Sequence, residues 1–195
     1  MDKQVQEAVR VFKNGGIVIF PTDTAFGIGC RIDDENAIKR LFKIRKRPRN
    51  KAVPVLASSV DMVRKYVRKI PQGVGILMKK YWPGALTLIL QCNEVKVPSL
   101  VRGGRKTLGV RIPDRKIIRE IISKVGVPIL GTSANFSGEK TPFKFEDLNP
   151  KLTVMVDYIL KINEKLGDNV STVIDCTVTP WKIIREGAVK MKNGK

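Results

Sequence analysis

The sequence has no histidine at all. That removes the commonest general base, the serine–histidine triad and most transition-metal sites. Cysteine is scarce: Cys30, Cys92 and Cys176 are far apart, odd in number and form no CxxC pair. Neither a disulfide framework nor a zinc site is indicated, and three buried free thiols are expected. Aromatic residues make up 6% of the chain, too few to build a base-stacking platform for single-stranded nucleic acid. No apolar run approaches the roughly 20 residues that cross a bilayer. The start, Met1-Asp2-Lys3-Gln4, lacks the apolar stretch of a signal peptide. A cytoplasmic protein with no membrane partner is the expectation. Acidic residues are outnumbered, 18 against 37 Lys and Arg, for a net charge of +19. That excess calls for an anionic partner, whether nucleic acid or nucleotide phosphates, or else for a lysine-rich soluble surface.

What is present reads as one domain over residues 1–195, long enough to bury roughly 70% of its unfolded surface. Val5, Ala8, Val9 and Phe12 recur at helical spacing, predicting a helix over about 2–13 that ends at Gly15-Gly16. Asp33-Asp34 and Ser58-Ser59 can open two further helices, and others are expected over about 72–81 and 114–125. Between them lie apolar strands at 17–20, 53–57, 86–91, 108–112 and 127–130, with weaker strand signals at 154–159, 172–175 and 183–185. Residues 138–150 read as a surface loop. This alternation predicts an α/β fold, mixed α+β in character, with a twisted mixed sheet flanked by helices.

The chemistry concentrates where strands end. Val127-Pro128-Ile129-Leu130 stops abruptly at Gly131-Thr132-Ser133-Ala134-Asn135-Phe136-Ser137-Gly138, a loop of hydroxyl, amide and glycine residues suited to cradling an anion. Phe20-Pro21 runs into Thr22-Asp23-Thr24. There Asp23 suits a substrate ammonium, a share of Mg²⁺, or a turn in which it bonds its own backbone. Residues 43–51 carry six cations, Lys43, Arg45, Lys46, Arg47, Arg49 and Lys51. They fit phosphate oxygens, a nucleic-acid stripe or a solvated face. Arg111 interrupts an apolar strand, so it must meet a polar cleft or a carboxylate; Thr107 shares its face at strand spacing. Ser171 and Arg185 each stand out at a strand. Ser133 is no hydrolase nucleophile, since there is no G-x-S-x-G elbow and no histidine. Walker A and G-x-G-x-x-G motifs are absent too.

The ordered set PTDTAFGIGC (21–30), KRPRNKAVPVL (46–56), WPGALTLIL (82–90), GVRIPD (109–114), TSANFSG (132–138), STVID (171–175) and IIREGAV (183–189) resembles the YrdC and YciO family over nearly the whole chain. The resemblance implies a YrdC-like fold with a basic concave face. It also implies an L-threonylcarbamoyladenylate synthase, a nucleotidyltransferase that makes threonylcarbamoyl-AMP and pyrophosphate from L-threonine, bicarbonate and ATP for tRNA modification. A threonylcarbamoyl-transferring partner enzyme is implied as well. Mg²⁺ would arrive with ATP, and no tightly bound cofactor or protein metal site is expected. Thr24, Arg111, Gly131 and Ser171 would form the threonine pocket. Arg45, Arg49, Lys51, Thr107, Ser133, Thr141 and Arg185 would meet ATP, with Arg45, Arg47, Ser133 and Asn135 catalytic. Arg45 takes the lysine position of the family's K-x-R element, and Asp23 and Ala52 replace a common glutamate and proline. The alternative is a non-catalytic module of the same fold that binds tRNA or other double-stranded RNA by shape and phosphates.

Overall fold

The computed structural model describes residues 2–161 and 166–191. Asp2 accepts from the Gln4 N–H to cap α1 (Lys3–Lys13), whose Val5, Ala8 and Phe12 turn inward. An antiparallel hairpin follows, β1 (Val18–Pro21) and β2 (Phe26–Gly29). The Asp34 side chain accepts from the Ala37 N–H and opens α2 (Glu35–Ile44). Next come β3 (Val55–Leu56), α3 (Val60–Arg64), α4 (Gln72–Tyr81), β4 (Leu86–Gln91), β5 (Thr107–Arg111), α5 (Lys116–Val125), β6 (Ile129–Leu130) and β7 (Thr132–Ser133). A short α6 (Pro150–Thr153), then β8 (Tyr158–Ile159), β9 (Thr172–Asp175) and β10 (Lys182–Arg185), complete the described elements. The stretch 138–150, expected to be a plain loop, thus holds a 3₁₀ turn at Phe145–Asp147, and α6 begins at its last residue.

The strands form two mixed sheets, of order β7-β2-β1-β8 and β10-β9-β4-β5-β3-β6. Parallel pairs β1–β8, β3–β5 and β4–β9 sit among antiparallel ones. Helices α1 and α5 pack together over Val18, Phe20 and Ile129, while a larger core gathers α2 and α4 against β4 and β5. Cys30, Cys92 and Cys176 are free and buried. Among the described residues no helix is long and apolar enough to cross a membrane.

The division into two sheets comes from one short crossing. β6 pairs with β3 in the large sheet and β7 pairs with β2 in the small one, with Gly131 alone between them. A Cβ at Gly131 would lie 2.4 Å from Leu56 Cγ. Gly29, at the end of β2, is tighter still: its Cβ would come to 1.8 Å of the Leu130 carbonyl oxygen. Both positions need glycine because another part of the chain occupies the side-chain space, and β2 escapes a propensity-based reading because glycine is depleted in ordinary strands.

Asp157 ties the small sheet to α2. It accepts the Ile17 N–H at 2.7 Å and two Arg40 N–H groups at 2.6 and 2.9 Å. The Arg40 guanidinium holds this carboxyl below the usual carboxylate range.

Two outcomes are expected. Gly29→Ala should lower the unfolding free energy by about 3 kcal/mol in urea titrations, since the Leu130 carbonyl cannot give way without breaking the sheet crossing. Asp157 contributes stability that is present above its unfolded value and lost as pH falls through its lower folded value. Asp157→Asn should therefore flatten the loss of stability below about pH 4, read as the melting temperature against pH.

Candidate functional site

The strand ends singled out in the sequence converge on one cleft of about 190 Å³. Its walls come from the turn after β1 (Thr22, Thr24, Ala25), the sheet crossing (Gly131, Thr132, Ser133), Thr87 of β4, Arg111 at the end of β5, Val170-Ser171 before β9, Arg185 of β10 and Arg47 after α2. Pro54 and Leu56 add an apolar patch.

Arg111 is 6% exposed and its guanidinium is held on three sides. Nη2 donates to Asp23 Oδ1 at 2.6 Å, Nη1 to Thr24 Oγ1 at 2.9 Å and Nε to the Gly84 carbonyl at 2.9 Å. The sequence left open whether this arginine meets a carboxylate or a cleft; it does both. Arg47 donates instead to the Lys51 and Ala52 carbonyls, and Arg185 to the Ser171 carbonyl and hydroxyl. Burial pushes the Arg47 and Arg185 guanidiniums below their ordinary value, and the Arg111 charge pushes Arg185 further the same way. Three guanidiniums thus line a partly dehydrated cleft whose lining includes no carboxylate. Its field is that of an anion site.

Arg45 lies behind this wall. It caps the end of α2, is 2% exposed, and aims its guanidinium at the loop after β6. Nε donates to the Asn135 carbonyl at 3.0 Å, Nη2 to Asn135 Oδ1 at 2.7 Å and Nη1 to Thr132 Oγ1. Burial, and then the nearby Arg47 charge, push this guanidinium down to about 10. The Asn135 amide is equally committed, accepting from Arg45 and Ser133 and donating to the Glu139 and Lys140 carbonyls. The Arg45 carbonyl accepts the Ser137 N–H at 2.8 Å, and Lys46 Nζ sits 5.1 Å from the Phe136 ring centre. The basic segment and the TSANFSG loop are therefore one interlocked unit.

Lys46 makes the join by adopting φ 51°, the left-handed region. With the Arg47 N–H bonded to the Phe42 carbonyl at 2.9 Å, the end of α2 is a Schellman-type cap that turns Arg47 back toward the cleft.

Of the residues expected in the site, Thr24, Arg47, Arg111, Gly131, Ser133, Thr141, Ser171 and Arg185 line the cleft. Arg45 and Asn135 support it from behind. Thr107 lies at the far end of β5, paired with Gln91, and Arg49 borders a separate groove beside Glu35 and Lys39. Lys51 is exposed, lending its carbonyl to Arg47. Thr22, quoted in the sequence only as part of the Thr22-Asp23-Thr24 turn, lines the cleft too, and Thr87 was not singled out. Thr87 carried the same signal as Arg111, a lone polar residue inside an apolar strand.

A family model for Sua5, YciO and YrdC proteins, described as telomere recombination, matches residues 10–187. The threonylcarbamoyl-AMP synthase of Pyrococcus abyssi is 32% identical over 189 residues, covering 97% of this chain and 55% of that protein. The Bacillus subtilis enzyme of that name is 31% identical over 193 residues, covering 96% and 54%. This chain thus spans about half the length of these two relatives. Escherichia coli YciO, an uncharacterised protein, is 31% identical over 190 residues, covering 96% and 91%. Among solved structures, P. abyssi Sua5 complexed with L-threonine gives a TM-score of 0.89 at 33% identity, covering 94% of this chain and 54% of that one. E. coli YciO gives 0.86 at 30%, covering 97% and 93%.

Arg45→Met should remove the partners of Thr132 and Asn135 at once and cost about 3 kcal/mol. Chemical denaturation checks this, and a loss below about 0.5 kcal/mol would contradict the bracing role.

Proposed function

This chain belongs to the Sua5, YciO and YrdC family, and we propose that it is an L-threonylcarbamoyladenylate synthase. The observation that carries the reading is the cleft with three guanidiniums and no lining carboxylate. Every substrate it would gather, the threonine carboxylate, bicarbonate and a triphosphate, is an anion. The threonine amine and bicarbonate combine to a carbamate with loss of water. A carbamate oxygen then attacks the α-phosphorus of ATP, forming the P–O bond of threonylcarbamoyl-AMP as pyrophosphate leaves. Such transfer depends on alignment and charge neutralisation more than on a proton-shuttling side chain, so a chain without histidine is equipped for it.

In this proposal Arg111 holds the amino-acid carboxylate with Thr24 and Ser171 beside it, while Arg47, Arg185 and Thr141 meet the nucleotide phosphates. Ser133 donates its proton to Asn135 at 2.8 Å, which leaves it an accepting and positioning group rather than a nucleophile. Arg45 acts from behind, through the loop. The enclosed volume is below the roughly 300–1,000 Å³ that buries a whole drug-sized ligand, which suits an amino acid and small anions, with the adenosine toward the open side. Among the described residues no group of three or more His, Cys, Asp or Glu could hold a metal. In this proposal Mg²⁺ arrives with ATP, carried chiefly by its phosphate oxygens and water. Contacts of the basic surface with tRNA or other double-stranded RNA, and hand-over to a threonylcarbamoyl-transferring enzyme, belong to the same proposal.

Pyrophosphate release from ATP tests it, with threonine and bicarbonate omitted in turn. Release should require both. Release indifferent to threonine overturns the reading, and none under any condition favours the RNA-binding alternative. Arg111→Lys keeps the charge but loses the fork, and should raise the threonine KM at least about tenfold.

A further inference from the structure

Two hydroxyl pairs line the cleft, and their neighbours decide what each can offer a ligand. In the first pair, Thr22 Oγ1 lies 2.7 Å from the Ala25 carbonyl, a contact in which only the hydroxyl can donate. Thr22 Oγ1 also accepts the Thr24 and Ala25 N–H groups at 3.2 and 3.1 Å, so its proton and both lone pairs are used, and its 3.0 Å contact with Thr24 Oγ1 takes no proton from Thr24. Arg111 Nη1 donates to Thr24 Oγ1 at 2.9 Å. That bond fills one lone pair of Thr24 and leaves the other to accept from a ligand in the cleft.

The second pair offers a donor. Thr87 Oγ1 and Ser171 Oγ are 2.9 Å apart, and Arg185 Nη2 donates to Ser171 Oγ at 3.0 Å. One of the two hydroxyl protons joins the pair. No other acceptor among the described residues takes the second, so the pair presents a donor. A hydroxyl that accepts from a guanidinium becomes a stronger donor itself. The chain therefore runs from Arg185 through Ser171 to Thr87, and the free proton is on Thr87. Leu56 and Val170 add apolar wall, and Arg111 has two N–H groups beyond its three bonds.

These offers match one ligand class: a carboxylate for Arg111, an N–H for Thr24, a methyl for the apolar wall and an accepting hydroxyl for Thr87. We propose that Thr87 sets the specificity of the cleft, donating to the side-chain hydroxyl of a β-hydroxy amino acid whose N–H is taken by Thr24. The inference rests on reading the cleft as an amino-acid site. A site built to bond a ligand hydroxyl rejects the isostere lacking it by up to about ten-thousandfold, whereas an apolar pocket separates such isosteres by only about a hundredfold.

Calorimetric titration of the full chain with L-threonine and with L-valine tests this. The wild type should favour threonine by at least about a hundredfold. Thr87→Val, isosteric and suited to a strand, should lower threonine affinity roughly ten- to hundredfold and move valine affinity less than about threefold. Thr87→Ser, which restores the hydroxyl, should recover most of the preference. Thr87→Val that leaves threonine affinity unchanged, or weakens both ligands alike, overturns the role of Thr87 while leaving the amino-acid site standing. Binding of neither amino acid to the wild type overturns the amino-acid reading itself, and this assignment with it.

Discussion

A guanidinium buried without a carboxylate holds the site together. Arg45 joins the end of α2 to the Thr132–Asn135 loop through side-chain and backbone oxygens alone. Dehydrating a cation is unfavourable, and neutral acceptors offset that only when several converge with good geometry. Here they do, and each acceptor belongs to the segment that forms one wall of the cleft. The consequence is mutual dependence. The loop has a defined shape because Arg45 occupies it, and Arg45 can be buried because the loop supplies the oxygens. Lys46 completes the arrangement by taking a left-handed backbone, which delivers the next arginine to the other side of the same wall.

On the cleft side of that wall the electrostatics run in one direction. Asp23 offsets part of the Arg111 charge, while Arg47 and Arg185 lean only on backbone carbonyls and a hydroxyl. Carbonyl and hydroxyl dipoles orient a guanidinium without cancelling it, so the field is left for a ligand. In the proposed synthase reaction, charge arranged in advance in this way would avoid reorganisation as the transferred phosphoryl group develops charge.

Much of this was legible from residue order. Strand runs, helix caps at Asp2, Asp34 and Ser59, and the polar residues stranded at strand ends all follow local rules that the fold obeys. Arg111 was readable because one charge in an apolar strand has few places to go. Thr87 carried a fainter version of that signal, since a threonine is at home in any strand. Arg45 and Arg47 could not be told apart, because which of two neighbouring cations faces the cleft is decided by the left-handed backbone at Lys46. The second sheet was hidden for a related reason. β2 is half glycine, and β7 is two residues long, so neither has a periodicity to detect, and both are defined by distant pairing.

The crossing at Gly131 has a consequence for how order is lost. Five consecutive residues, 129–133, supply strands to both sheets, so neither sheet keeps its edge if the other opens. Opening that would stay local elsewhere must here pass from one sheet to the next, so the described strands are expected to unfold as one cooperative unit rather than as two foldons. A cleft built on that shared segment exists only while both sheets do, so the cleft and the described sheets stand or melt together.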